Sequence, residues 1–298
     1  MNYWESKSIC TVFTKYNDTE IINKIDPVKS NIDHSLYKQY TIGYMSNFNI
    51  VNICKFVNKH SNYIFDIDTF SWLVLNPFSD PSFNIVLYDN DKIVATIVGI
   101  LRSIKIKNEI HKIIHTTFLT VDENYRKQGI HFYIIDKLME NAFNKGVLLG
   151  IFSTMKKIKK IKCVNVQDTY IIKSDSKKYK ENNNVFDYKK LNQKNDDLYF
   201  IYNDMEIEYW FNKKYCHIIS IYNNLFCFLK IKYKNNENLN ILIEQYIHNK
   251  NINKYSIPNN SIMFSQYIQL PQIKLQNQIY TYIYNLNFNN LKCNICMF

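Results

Sequence analysis

Glycine is scarce in this chain of 298 residues: there are five, and none follows Gly150. Four of them, Gly99, Gly129, Gly146 and Gly150, fall between positions 99 and 150. In so glycine-poor a chain each is expected to serve backbone geometry. No apolar run approaches the roughly 20 residues of a membrane helix. The opening MNYWESKSIC is polar and aromatic, unlike a secretory leader. Both absences point to a cytoplasmic protein with no transmembrane segment. The seven cysteines are odd in number and irregularly spaced, which argues for free thiols rather than a disulfide framework. Cys293-x-x-Cys296 has no second CxxC or histidine pair beside it, so no metal site is expected. His111 and His115 fall in an expected strand, where residues four apart are not neighbours. There is no dense arginine cluster and no aromatic–basic RNA signature, so no nucleic-acid partner is expected. The net charge of +11 then reads mainly as solvated lysines, or as attraction for an anionic partner.

What is present is enough apolar material for a real core: 46% hydrophobic and 15% aromatic residues. Ile50, Ile53, Cys54 and Val57 share one face of a helix over 47–59. A short helix around 69–76 is capped by Asp68 or Thr69 and stopped by Pro77. Strands are expected at 83–88, Lys92–Ile106 and Ile110–Val121, joined by turns at Asp89–Asp91 and Lys107–Glu109, as an antiparallel meander. A helix over Ile130–Asn144 buries Ile134, Ile135, Leu138, Met139 and Ala142, ends at Gly146, and is followed by a strand at Val147–Ser153. The lysine run at 156–160 and the Lys/Asn/Asp-rich stretch to about 200 read as linker and surface loop. Order resumes with a helix at Met205–Phe211, a hairpin of His217–Tyr222 and Asn224–Tyr233, a helix at Leu239–Asn249 and a strand at Ile279–Leu286.

The organising stretch is Thr116–Glu140, TTFLTVDENYRKQGIHFYIIDKLME. It reads as a buried strand, a tight loop carrying Arg126-x-x-Gly129, and a helix entered at that glycine. Backbone amides gathered at a helix start, with the dipole behind them, suit a pyrophosphate. The strand–RxxG–helix unit resembles the acyl-CoA site of the GNAT acyltransferase superfamily, and three strands, a helix and a strand resemble its core.

Taken together the motifs resemble the protein N-myristoyltransferases, in a shortened form. Asn2-Tyr3-Trp4 is similar to the family's KFW opening. Phe65-Asp66 followed by Trp72–Leu75 resembles its FDYSPEFLLWAL helix. Phe118–Val121 resembles its NFLCVH strand, Tyr125-Arg126 its LRSK loop, and Gly150–Thr154 its AVYTAG strand. Further on, Glu206–Phe211 is similar to EVEHWF and Tyr282–Asn285 to YLYN. Two departures stand out. Arg126–His131 is closer to the general GNAT loop than to RSKR(V/L)A, and the family's Cys-x-Tyr-x-His-Arg becomes Cys163–Asp168.

The resemblance implies an α/β (α+β) fold: a GNAT-like mixed sheet flanked by helices, with a second, shortened GNAT-like half. Residues 1–165 would be the acyl-CoA half, 166–200 a loop or linker, and 201–298 the peptide-side half carrying the chain-terminal carboxylate. It implies transfer of myristoyl from myristoyl-CoA, bound as a substrate rather than as a permanent cofactor, to the α-amine of N-terminal glycine peptides or proteins, by a monomer. The amides of Phe118 and Leu119 would hold the oxyanion, freed by a strand bulge. The carboxylate of Phe298 would take the amine proton, and Ser153 would help hold the amine. Myristoyl-CoA would lie on Tyr3, Trp4, Phe118, Leu119, Thr120, Val121, Arg126, Lys127, Gln128, Gly129, Ile130 and His131. Two other readings fit the same residues: a GNAT N-acetyltransferase of another amine, and a non-catalytic acyl-CoA or lipidated-peptide binder.

Overall fold

The computed structural model describes residues 3, 7, 9, 19–23, 32–172, 186–221, 223–234, 237–247, 261–265, 275–288 and 291–295. Its first half follows the apolar periodicity closely. After a short strand β1 (Glu20–Ile21) come β2 (Tyr40–Tyr44), α1 (Ile50–His60), β3 (Tyr63–Ile64) and α2 (Ile67–Val74). Then β4 (Asn84–Asp89), β5 (Lys92–Ile106) and β6 (Glu109–Val121) form the expected meander, and α3 (Ile130–Asn144) leads to β7 (Leu149–Thr154). Helix α2 starts earlier than expected: Asp66 is its cap, accepting from the Thr69 N–H at 2.8 Å.

The later elements are β8 (Asn165–Ile172), β9 (Leu198–Ile201), α4 (Asp204–Trp210), β10 (Cys216–Ile221), β11 (Asn224–Tyr233), β12 (Asn238–Tyr246), β13 (Ser261–Ser265), β14 (Leu275–Tyr284), β15 (Leu286–Asn287) and β16 (Cys293–Asn294). Two expectations are corrected here. The segment 166–200 is not simply a loop: it contains β8, in the middle of the sheet, and β9, which pairs with β5 and β16. The helix expected at 239–249 is strand β12, packed between β11 and β13. Its Leu239, Ile241, Leu242, Glu244 and Gln245 are all buried, so both faces are covered and the two-residue alternation that marks a strand is erased.

One sheet runs β10-β11-β12-β13-β8-β14-β7-β6-β5-β4-β2. Its order is symmetric about the β8–β14 contact. On one side a meander, β4-β5-β6, is followed by β7 parallel to β6; on the other a meander, β10-β11-β12, is followed by β13 parallel to β12. This is the second GNAT-like half. Helix α3 packs on one face of the first meander, around Ile85, Leu87, Ile97, Ile134 and Leu138. Helices α1, α2 and α4 pack on the other, around Val98, Ile100, Phe70 and Trp210. Each fully buried Val, Ile or Phe here contributes roughly 1.5–3 kcal/mol. Ile135 and Met139, expected in the core, instead border a cavity. Gly146, at φ 76°, ends α3 as expected.

Candidate active site

Strands β6 and β7 are paired only from Ile113/Leu149 to His115/Ile151. Beyond that point they splay. Residues 116–121 stay with β5, while 152–154 stay with β14, Phe152 opposite Tyr282 and Ser153 opposite Thr281. The wedge between them, closed on one side by α3, holds a cavity of about 600 Å³. Ile114, Ile135, Leu138, Met139, Val147 and Phe152 give it an apolar wall. Phe118, Leu119, His131 and Ser153 also border it.

The β5–β6 register steps from Thr96/Thr120 to Val98/Thr117, so Phe118 and Leu119 of β6 stand opposite the single Ile97. This is a bulge, and Phe118 has φ 51°, a backbone conformation uncommon for a non-glycine residue. The Phe118 ring is held by Phe65 and Phe70, with centroids 5.2 Å away in each case. Its carbonyl accepts from Thr96 Oγ1 at 3.1 Å and so points toward β5. The peptide plane then turns the Leu119 N–H away from Thr96. Across the wedge, the Ser153 and Thr281 hydroxyls are 3.0 Å apart.

The loop before α3 is built for tight backbone. Lys127 has φ 65° and Gly129 φ 78°, and no side chain caps the helix. A Cβ at Gly129 would lie 2.4 Å from Tyr37 Oη, which donates to the Gln128 carbonyl at 3.0 Å. Arg126, Lys127 and Gln128 are exposed, and Arg126 Nε donates to the Val121 carbonyl at 3.2 Å. An uncapped helix start with Arg and Lys beside it is a favourable place for phosphate. His131, in the first turn, is half-buried, and burial lowers its pKa, so it is neutral near pH 7.

Tyr3 is buried behind this helix. Its ring stacks on Phe132, centroids 4.0 Å apart, and Phe132 borders the cavity. Its hydroxyl donates to Asp136 at 2.7 Å, and burial with the adjacent carboxylate raises its pKa. Asp136 also takes Lys7 Nζ and faces His34 Nε2 at 3.2 Å. Ile9 bridges to Tyr284 of β14, another cavity residue, so the opening segment touches both α3 and β14 at the cavity.

The structure thus brings Phe118, Leu119, His131 and Ser153 to one cavity, with Gly129 at its helix-start end and Tyr3 one ring away. Thr120 remains in the β5–β6 ladder. Val121 packs toward α3, and the Ile130 side chain is core, leaving its amide as the only part able to meet a ligand. Trp4 and Phe298 lie outside the described residues. Sequence reasoning missed Thr96, Thr281, Tyr37 and Asp136. The first two carry a signal, a hydroxyl inside an otherwise apolar or aromatic run; Tyr37 and Asp136 carry none.

Residues 38–163 match the family model of the Myristoyl-CoA:protein N-myristoyltransferase N-terminal domain. A protein of Amsacta moorei entomopoxvirus, provisionally named glycylpeptide N-tetradecanoyltransferase, is 40% identical over 302 residues, covering 100% of this chain and 100% of that protein. The crystal structure of Saccharomyces cerevisiae N-myristoyltransferase with bound myristoyl-CoA superposes with a TM-score of 0.74 at 10% identity, over 96% of this chain and 92% of that one. A second such structure gives 0.73 at 10% identity, over 95% and 87%. At that identity the structures establish the fold. The full-length relative, the matched family model and the splayed, bulged sheet agree, and the chain belongs to the N-myristoyltransferase family.

Proposed function

We infer that this protein moves a myristoyl group from myristoyl-CoA to the α-amine of an N-terminal glycine. The observation that supports the reading is the bulge: it turns the Leu119 amide away from Thr96 beside an apolar wedge of about 600 Å³ that Leu119 and Ser153 both border. An acetyl donor would leave most of such a cavity unfilled, which favours a long acyl chain. The acyl chain lies along α3 and the CoA pyrophosphate meets the amides that follow Gly129, with Arg126 and Lys127 alongside. Phe118 and Leu119 amides stabilise the oxyanion of the tetrahedral intermediate, at roughly 3 kcal/mol per well-placed donor. Ser153, braced by Thr281, holds the incoming amine.

The amine has an unperturbed pKa near 8 and must lose a proton before it attacks. The base we propose is the carboxylate of Phe298. Strand β16 pairs with β9, and the Ile295 carbonyl accepts from Gln167 Nε2 at 2.9 Å, so the last described residues are anchored beside β8. The neighbouring β14 carries Thr281, the partner of Ser153. Residues 1–165 serve the donor and residues 201–298 the acceptor. Among the described residues no helix is long and apolar enough to cross a membrane; we propose a cytoplasmic monomer. A thermal-shift comparison of myristoyl-, palmitoyl- and acetyl-CoA, followed by a transfer assay on a Gly-peptide, tests the reading. Stabilisation by acetyl-CoA alone, or binding without transfer, would overturn it.

A further inference from the structure

Strand β8 runs through the middle of the sheet, yet one of its faces is a buried polar row: Asn165 is 3%, Gln167 2% and Thr169 9% exposed. Side chains two apart on a strand share a face, and the registers identify it. Asn165 stands opposite Thr281 and Thr281 opposite Ser153, the two hydroxyls 3.0 Å apart. Their alternate neighbours Ile151, Ile279 and Ile283 pack in one cluster with Cys293 and Ile295. The polar row of β8 is therefore continuous with Ser153, and the last described stretch of the chain lies against it.

That stretch is held residue by residue. The Lys292 carbonyl accepts from the Asp197 and Leu198 N–H groups at 2.8 and 3.0 Å, and the Lys292 N–H donates to Asp197 Oδ2 at 2.9 Å. Asn294 Nδ2 donates to Asp196 Oδ2 at 3.0 Å. These contacts fix 292–294 along β9. The Cys293 thiol meets the Asn165 side chain. At Ile295 the chain passes to β8, where Gln167 Nε2 donates to the Ile295 carbonyl at 2.9 Å. Gln167 Oε1 is buried with no partner among the described residues, a cost that an apolar side chain would avoid. The bond to Ile295 is what the amide supplies in return.

The level of that bond in the sheet is what connects it to the site. Four residues past the His115/Ile151 pair, β6 reaches Leu119; counted through the registers of β7, β14 and β8, the same level falls at Gln167. Gln167 is two strands from β7, roughly 10 Å at the spacing of neighbouring strands. Three residues follow Ile295 in the sequence, and three residues of extended chain span about 10 Å. A carboxylate at residue 298 therefore has just the reach to meet the Ser153–Thr281 pair, and where the Ile295 carbonyl is held decides whether it arrives.

We propose that Gln167 is a positioning residue for the transfer: by holding the Ile295 carbonyl it keeps the Phe298 carboxylate beside Ser153, where the proton of the incoming ammonium passes to that carboxylate. The proposal rests on the transfer reading above and on its choice of base. The test compares the full chain with Gln167→Met, which is close in volume and lacks the donor, using myristoyl-CoA and a Gly-peptide at pH 7 and pH 9. The amine is mostly protonated at the first pH and mostly free at the second. Turnover should fall at least tenfold at pH 7 and under threefold at pH 9, with the KM for myristoyl-CoA unchanged. In a chain carrying a polar extension after Phe298, adding Gln167→Met should cost under twofold, because both changes act through one carboxylate. Carboxypeptidase should release Phe298 at least tenfold faster from Gln167→Met than from the parent chain. Gln167→Asn, a methylene short of the Ile295 carbonyl, gives the same results where the Met variant does not fold. Undiminished turnover would overturn the proposal, and an equal loss at both pH values would assign Gln167 to structure instead. A harmless Gln167→Met beside a damaging extension refutes the part given to Gln167 and leaves the base standing. A harmless extension removes the base, and this proposal with it. If the chain transfers no myristoyl, the transfer reading has failed, and equal rates of Phe298 release then refute the Gln167 anchor as well.

Discussion

Gly129 is the residue at which backbone and packing meet at the proposed phosphate site, and its replacement by alanine can be worked out in advance. At φ 78° an L-residue costs roughly 1–2 kcal/mol over glycine. The new Cβ would also stand 2.4 Å from Tyr37 Oη, while the next atom, Tyr37 Cζ, is an ordinary 3.7 Å away. The tyrosine must move, and it is 7% exposed and stacked on Tyr133 with centroids 4.6 Å apart. Its bond to the Gln128 carbonyl is lost, for about 1 kcal/mol more. Gly129→Ala should therefore lose about 2–3 kcal/mol, a fall in Tm of roughly 5–10 °C for a domain this large. Tyr37→Phe removes the oxygen that causes the clash. Alone it costs about 1 kcal/mol; in the Gly129→Ala background it should cost almost nothing, a coupling of about 1 kcal/mol in a double-mutant cycle. Additive losses in denaturant melts would refute the geometry. Myristoyl-CoA affinity, read by calorimetry, should fall at least tenfold in Gly129→Ala, about 1.4 kcal/mol, and further in Gly129→Glu. Normal affinity in a protein with the expected Tm loss would remove this loop from the phosphate site.

Thr96→Val deletes the bond that fixes the Phe118 carbonyl, so turnover should drop about tenfold with myristoyl-CoA binding retained; an unchanged kcat would dissociate the bulge from oxyanion stabilisation. Gly150 borders the cavity with no atom nearer than 3.6 Å to a built Cβ, so Gly150→Leu should fill part of it and shift preference from C14 toward C12 or C10 donors, at about 0.8 kcal/mol per excluded methylene. An unaltered ranking in a mixed-donor competition would show that the acyl chain runs elsewhere. A short polar extension after Phe298 should cut turnover by about 10² while leaving acyl-CoA binding intact, and full activity with the extension still attached rejects the terminal carboxylate as base.

Some of this is legible in the residues and some is not, for physical reasons. Helix α3 and strand β5 have the expected bounds, Ile130–Asn144 and Lys92–Ile106, because each buries a single face or a continuous apolar run. Strand β8 reads as loop because its buried Asn165, Gln167 and Thr169 are polar, and polarity in a sequence mimics solvent exposure. Leu239–Tyr246 reads as helix because both of its faces are covered. At the site, the RxxG loop, Phe118–Leu119 and Ser153 carry motifs. The bulge is a property of register against Ile97 and depends on Thr96, so the β6 stretch cannot show it alone. Tyr37 and Asp136 act through contacts 91 and 133 residues apart, which no local window contains.

The symmetry of the sheet explains why its two halves cannot be cut apart. One wall of the wedge, β6, is held by β5. The other, β7, pairs with β6 for only three residues and would otherwise present an open edge along 152–154. An unpaired edge is a liability, and its position would be free to vary by more than the tenths of an ångström that oxyanion chemistry tolerates. Strand β14, from the second half, pairs with that edge and supplies Thr281 to Ser153 and Tyr284 to the cavity wall. Tyr284 in turn bridges to Ile9 of the opening segment, whose Tyr3 and Lys7 are tied to Asp136 on α3. The wedge is therefore clamped by strands and segments from both ends of the chain. A chain truncated near residue 165 keeps the loop proposed to meet the phosphates but lacks β14, and the wall opposite Leu119 loses its support.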